Sequence, residues 1–248
     1  MPLEKFDAII LKEADEGETG KRLTVFAKDI GKVTIFAKGA KSAKSRFSAP
    51  SQLFCYSSFS AYKNKNYYNA VSAEVIESFY EVRTDITKLA YACFIMELIE
   101  KNIPEGPSES GDELLKLLLT TLAVISKTDY DARLAAIVFE TKFLNINGYF
   151  AQTLCAMCAA ETSDYSIFNA SKGGILCKDC GERYGGERLA NGTLMAFDYI
   201  LENDGKRMFS FRVSHDVLKQ MEKCLEAMIY ENMVMPENSL EFLKSIKE

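Results

Sequence analysis

Four of the seven cysteines fall in two close pairs, LCAMC at 154–158 and LCKDC at 176–180, in the arrangement C-x-x-C, 18 residues, C-x-x-C. Two residues between thiols let each pair form a knuckle that turns both sulfurs inward, and two knuckles supply four thiolates for a tetrahedral Zn²⁺. Cys155, Cys158, Cys177 and Cys180 are therefore the candidate metal ligands. Gly173, Gly174 and Gly181 flank the second pair and suit the tight return it needs. Four thiolates leave no position for an activated water, so one zinc ion here is structural and not catalytic. The competing chemistry is a redox pair or disulfides. A redox C-x-x-C belongs at a helix N-terminus after a strand, which neither pair shows clearly in the sequence. Cys55, Cys93 and Cys224 lie in apolar periodic contexts and read as packing residues.

The second chemically suggestive stretch is KGAKSAKSRFSAP at 38–50, where Lys38, Lys41, Lys44 and Arg46 are separated by small residues and bracketed by Gly39 and Pro50. It reads as a mobile, solvated loop able to meet an anion. The whole chain carries a net charge of −5, yet between Lys21 and Lys65 ten basic residues are opposed only by Asp29. Binding responds to the local field within a Debye length, about 8 Å at physiological salt, so an acidic total does not exclude a polyanion. Lys21, Arg22, Lys38, Lys41, Lys44, Arg46, Lys63 and Lys65, with Tyr62 beside them, are the candidate residues for holding such a polyanion, a nucleic acid strand being one. Several phosphates can meet such a set at once, and bases can stack on nearby aromatics among Tyr56, Phe59, Tyr67 and Tyr68.

Enzymatic signatures do not emerge. The sequence contains no G-x-x-x-x-G-K-[ST] loop, G-x-G-x-x-G fingerprint or G-x-S-x-G elbow, and its one histidine, His215, opens a predicted helix. Glu97 and Glu100 stand at helical spacing and read as a solvated face. The expectation is a binding protein with no small-molecule substrate.

The elements that must position these residues change character near residue 80. Before it, FDAIILKEA, LTVFAK, KVTIFAK, LFCYSSFSAY and YYNAVSAEVIES read as five strands joined by polar turns. In KVTIFAK, Val33, Ile35 and Ala37 alternate with Lys32, Thr34, Phe36 and Lys38, the pattern of a half-buried strand. Five short strands suggest a small barrel of the OB type, closed so that no edge is exposed. Beyond residue 80, helical periodicity runs through DITKLAYACFIMELIEKNI, DELLKLLLTTLAVISK and DARLAAIVFETKFLNINGYF, the last leaving at Gly148. It returns after the cysteines in NGTLMAFDYILEN, SHDVLKQMEKCLEAMIYENM and SLEFLKSIK, with Ser214 and Ser239 as N-caps and Phe242 and Leu243 buried. The predicted fold is an α+β multidomain chain. A five-stranded OB-fold barrel at 1–80 precedes an all-α domain at 81–248, into which a four-cysteine zinc knuckle is inserted at 150–185. No long apolar run or signal-like N-terminus is present, so a soluble, cytoplasmic protein without membrane association is expected.

The run GKVTIFAKGAKSAKSRF, the helix ending FETKFLNINGYF, LCAMC with GGILCKDC, and the late SLEFLKSI together resemble the bacterial RecO recombination mediators over nearly the whole chain. The resemblance implies a non-enzymatic protein that binds single- and double-stranded DNA and anneals complementary strands, including those coated by single-stranded DNA-binding protein. It further implies action with RecR to load a recombinase, recognition of the acidic, apolar C-terminal tail of single-stranded DNA-binding protein, and a place at the nucleoid. The rival reading of the residues is a zinc-stabilised protein–protein scaffold without direct DNA binding.

Overall fold

A computed structural model describes residues 2–150, 154–162 and 166–246. Strands β1 (Leu3–Glu16), β2 (Gly20–Ala27), β3 (Gly31–Ala37), β4 (Tyr56–Lys63) and β5 (Tyr68–Glu77) close into a barrel in the order β1-β2-β3-β5-β4. Alternation decides what lies inside. Leu23 and Val25 of β2, Ile35 of β3, and Phe59 and Ala61 of β4 are buried, and Phe6 and Tyr68 join them in one core. Each large apolar side chain so buried contributes about 1.5–3 kcal/mol. Closure depends on a short parallel pairing in which Ile35 stands opposite Tyr68 and Phe36 opposite Asn69.

The β3–β4 connection differs from the open loop expected. Successive turns tie Ala40 to Ala37, Ser42 to Gly39, Ser45 to Ser42 and Ser48 to Ser45 by backbone hydrogen bonds. Ala40 and Phe47 are buried in the barrel core. The segment is thus a ladder of turns anchored at two points, and its lysines project from an anchored backbone. Ala40 and Phe47 are two helical turns apart, but with only Ala43 apolar between them and Gly39 and Pro50 bracketing the run the pattern is too sparse to disclose the anchor.

Beside β3, the chain at Gly106 is held against the barrel, its N–H donating to the Lys32 carbonyl at 2.8 Å. Gly31 makes this approach possible: at φ +79° it has a backbone few side chains adopt, and a Cβ there would stand 1.8 Å from the Gly106 carbonyl oxygen.

Helices among the described residues are α1 (Ile86–Asn102), α2 (Gly111–Lys127), α3 (Ala132–Ile146), α4 (Lys178–Tyr184), α5 (Asn191–Glu202), α6 (His215–Asn232) and α7 (Glu237–Ser245). By compactness the chain forms two units, Met1–Leu122 with Asn238–Glu248, and Ala123–Glu237.

In the first unit, Asp85 caps α1 by accepting from Thr87 and Lys88 N–H groups at 2.8 and 2.9 Å. Helix α7 begins at Glu237, so Ser239 lies within it and is not its N-cap. The Ser239 N–H instead donates to Glu97 at 2.8 Å, Asn238 donates to the same carboxylate at 3.0 Å, and Lys101 pairs with it at 3.0 Å. Glu97 and Glu100 are therefore half-buried, not part of a solvated face. A carboxylate on one helix satisfies the free N–H groups that open another, a partner that local spacing cannot reveal. Leu243 is buried and Phe242 half-buried.

In the second unit, α3 is buried on nearly all sides, capped by Asp131, and includes the polar Glu140 and Lys142. Lys142 is satisfied by the Leu201 carbonyl at 3.1 Å and Asp204 at 2.9 Å. Gly148, at φ +78°, follows the helix as expected. Ser214 caps α6, accepting from the Val217 N–H at 3.4 Å, and His215 opens that helix exposed to solvent.

Candidate metal centre and nucleic-acid interface

The cysteine module is built on a small antiparallel sheet, β6 (Ile167–Asn169), β7 (Gly174–Leu176) and β8 (Glu187–Arg188), in the order β7-β6-β8. Cys155 and Cys158 lie in a turn in which the Cys155 N–H donates to the Ala160 carbonyl, and the Ala159 N–H to that of Cys155, both at 2.8 Å. That turn is tied to β7 by the Ala156 N–H bonding the Ile175 carbonyl at 2.9 Å. Cys177 follows β7 directly and caps α4, whose first turn contains Cys180. The second pair thus does sit between a strand and a helix, contrary to the sequence expectation. Gly186 completes the fit, since a Cβ there, at φ +140°, would lie 2.3 Å from the Phe168 carbonyl oxygen.

All four sulfurs lie within 4.8 Å of one another, and those of Cys158 and Cys177 are 3.8 Å apart. Tetrahedral Zn–S bonds of about 2.3 Å place ligand sulfurs about 3.8 Å apart, so the cluster fits a tetrahedral thiolate-bound ion. Its electrostatics point the same way. Burial pushes the Cys155 thiol up, but backbone N–H groups of Cys177, Met157 and Cys158 outweigh it and bring the value to about 6. Burial and the neighbouring thiols push Cys180 up to about 12. Four thiolates this close repel one another unless a cation stands among them. This mutual proximity distinguishes a metal cluster from a single redox pair. Among the remaining cysteines, Cys55 and Cys224 are buried and Cys93 is partly exposed.

On the barrel, the eight cations among the DNA-binding candidates separate into two groups. Lys21 pairs with Glu13, and Lys41 pairs with Asp15 at 3.0 Å while donating to the Gly17 carbonyl at 2.9 Å. Arg22, Lys38, Lys44, Arg46, Lys63 and Lys65 are exposed and form no ion pair among the described residues. Arg46 lies over the ring of the buried Phe47, 5.3 Å from its centroid, and Lys63 over that of Tyr68 at 5.8 Å. Tyr62 is exposed, whereas Phe59 and Tyr68 are buried in the barrel and offer no face to a base. Tyr56 and Tyr67 are half-buried.

Strand register brings some of these residues into one outward row. Leu3 stands opposite Tyr62, Tyr62 opposite Asn69, Asn69 opposite Phe36, and Phe36 opposite Arg22. Phe36 meets Tyr67 edge to face, with centroids 5.0 Å apart. Phe36 was not among the candidates. A large aromatic residue on the lysine-bearing face of β3 was its legible signal, and the β3–β5 pairing that sets it beside Tyr67 was not.

A closed five-stranded OB-type barrel with cations on its outer face, followed by helices and a four-cysteine cluster able to hold a metal ion, defines the class: a two-part barrel-and-helix protein with a knuckle. The chain belongs to the RecO family. Residues 1–79 match the family described as Recombination protein O N terminal, and residues 83–241 match Recombination protein O C terminal. It is 34% identical over 244 residues to the DNA repair protein RecO of Acetivibrio thermocellus, covering 98% of this chain and 96% of that one. It is 30% identical to the protein of that name from Alkaliphilus metalliredigens, over 98% and 99% of the two chains. A third, from Shouchella clausii, is 38% identical over 72% of this chain and 69% of its own. No helix among the described residues is long and apolar enough to cross a membrane.

Proposed function

We propose that this chain acts in recombinational DNA repair as a mediator that binds single- and double-stranded DNA, anneals complementary strands and helps load a recombinase onto coated DNA. The observation that carries the reading is the group of exposed cations on the barrel, Arg22, Lys38, Lys44, Arg46, Lys63 and Lys65, without carboxylate partners among the described residues. Cations so placed neutralise phosphates and release condensed counterions, which lets two strands approach each other. Family membership and the DNA repair relatives support the same role. The chemistry is binding and not catalysis, and it belongs in the cytoplasm at the nucleoid.

RecR and the tail of single-stranded DNA-binding protein are the protein partners in this reading. For the tail, support comes from a cavity of about 590 Å³ in the second unit, where Val124, Tyr130 and Phe209 meet the three cations Lys127, Lys206 and Arg212 against one carboxylate, Asp129. An acidic, apolar peptide needs this pairing of greasy walls and positive charge. One structural Zn²⁺ held by Cys155, Cys158, Cys177 and Cys180 staples the module between α3 and α5. The Lys21 and Lys41 ion pairs, which leave fewer cations for phosphates, favour the rival reading, a zinc-stabilised scaffold whose basic loop serves an acidic protein partner.

The deciding experiment follows annealing of complementary strands coated with single-stranded DNA-binding protein. The mediator reading expects annealing well above the uncatalysed rate. A folded, zinc-loaded protein that leaves the rate unchanged would reject it in favour of the scaffold.

A further inference from the structure

The outward row on the barrel contains more than charge. From β1 through β4, β5 and β3 to β2 it runs Leu3, Tyr62, Asn69, Phe36, Arg22, and no carboxylate interrupts it. Lys38 lies one residue beyond the end of β3, and Tyr67 one residue before the start of β5. Two aromatic residues, Tyr62 and Phe36, and the cation Arg22 therefore share one outward row.

Tyr67 is fixed from two sides. Its hydroxyl accepts from the Asn64 side chain at 2.6 Å, its ring meets Phe36 edge to face, and its carbonyl accepts from the Asn64 N–H at 2.8 Å. The β4–β5 turn is held in the same way, with the Lys65 N–H donating to the Asn64 side-chain oxygen at 2.8 Å. Phe36 gains little by its position as a folding element, because the barrel core lies on the opposite face of β3, where Ile35 is fully buried. A half-exposed phenylalanine, braced by a tyrosine that is itself hydrogen-bonded, is an aromatic ledge whose ordering cost is met before any ligand arrives.

We infer that Phe36, braced by Tyr67 and flanked by Arg22 and Lys38, is a base-stacking platform selective for single-stranded nucleic acid. This rests on the reading of the barrel as the DNA-binding unit and assigns the bases, as distinct from the phosphates, a place on it. Unpaired bases present open faces to such a ring, whereas bases in a duplex are already stacked on one another. Cations alone would not favour single strands, since a duplex presents the denser phosphate charge, so the aromatic ledge supplies that preference.

The sequence contains no tryptophan, which provides a direct reporter. In Phe36→Trp the emission excited selectively at the new indole should be quenched as oligothymidylate saturates the protein, in step with anisotropy of a labelled strand. Phe36→Ala should lose about 5- to 160-fold in affinity for oligothymidylate, keep its salt dependence, and bind duplex within about twofold of the native chain. Phe36→Leu preserves apolar packing without an aromatic face and should resemble Phe36→Ala in binding while melting like the native protein. If the native chain binds and Phe36→Leu binds equally well, or the indole emission is unmoved at saturation, the platform is refuted and the DNA-binding reading stands. If the native chain binds no DNA, both fall together.

Discussion

Removing cations that face solvent and removing cations already paired with carboxylates should have different consequences. In a triple variant, Lys38→Ala, Lys44→Ala and Arg46→Ala, three exposed side chains without ion pairs among the described residues are lost. In a double variant, Lys21→Ala and Lys41→Ala, the lost side chains are those held by Glu13 and Asp15. If about six cations contact a single strand at about −0.7 each, the slope of log K against log salt for the native chain is about −4. Between 50 and 200 mM salt, affinity should then fall about 250-fold. The triple variant should retain a slope of about −2 and lose only about 20-fold over the same range, whereas the double variant should keep nearly the native slope. Stability should barely distinguish them, since exposed ion pairs are worth about 0–1 kcal/mol. Anisotropy of a labelled oligothymidylate across a salt series measures these slopes. Equal flattening by both variants, or none by the triple variant, would refute the division between free and paired cations.

Two further outcomes test the folded frame. Glu97→Gln should cost about 1–2 kcal/mol by removing a charged partner of the α7 N-terminus. Although burial raises the Glu97 carboxyl, hydrogen bonds from Ser239, Lys101 and Asn238 outweigh it and hold the group at about 2, below its ordinary 4.5. Its contribution is therefore complete above pH 4.5 and lost as pH falls through about 2, so acid melting of the variant should be shallower in that window. An unchanged acid limb would sink the assignment. Elemental analysis should find one zinc per chain, and Cys158→Ser should lower the melting midpoint by about 5 °C or more, since each kcal/mol is worth about 2–4 °C at this size. Well under one equivalent of metal, or normal melting of the variant, would reject the staple.

The barrel strands and the long helices were legible because their hydrophobic periods are local: Leu23 and Val25 alternate across β2, and α3 repeats apolar residues through several turns. The cysteine cluster was legible because its spacing restricts its geometry, and the sulfurs do converge. Long-range placement was hidden. Nothing local to Glu97 announces that it meets Ser239, and nothing within KGAKSAKSRFSAP shows Ala40 and Phe47 entering the barrel core. Tyr68 and Tyr67 are adjacent in sequence, yet Tyr68, the first residue of β5, fills the barrel while Tyr67, held in the preceding turn by Asn64, braces Phe36. β1–β2 register likewise sets Lys21 opposite Asp15 and within reach of Glu13, two positions along the same face of β1, which charge counting does not show.

The most direct measurement is equilibrium binding of the unaltered, folded chain to oligothymidylate at about 50 mM salt, followed by titration toward 200 mM. Clear binding that weakens steeply as salt rises is the expected result. A protein that remains folded and binds no strand at the lowest salt would contradict the assignment of the barrel cations to DNA.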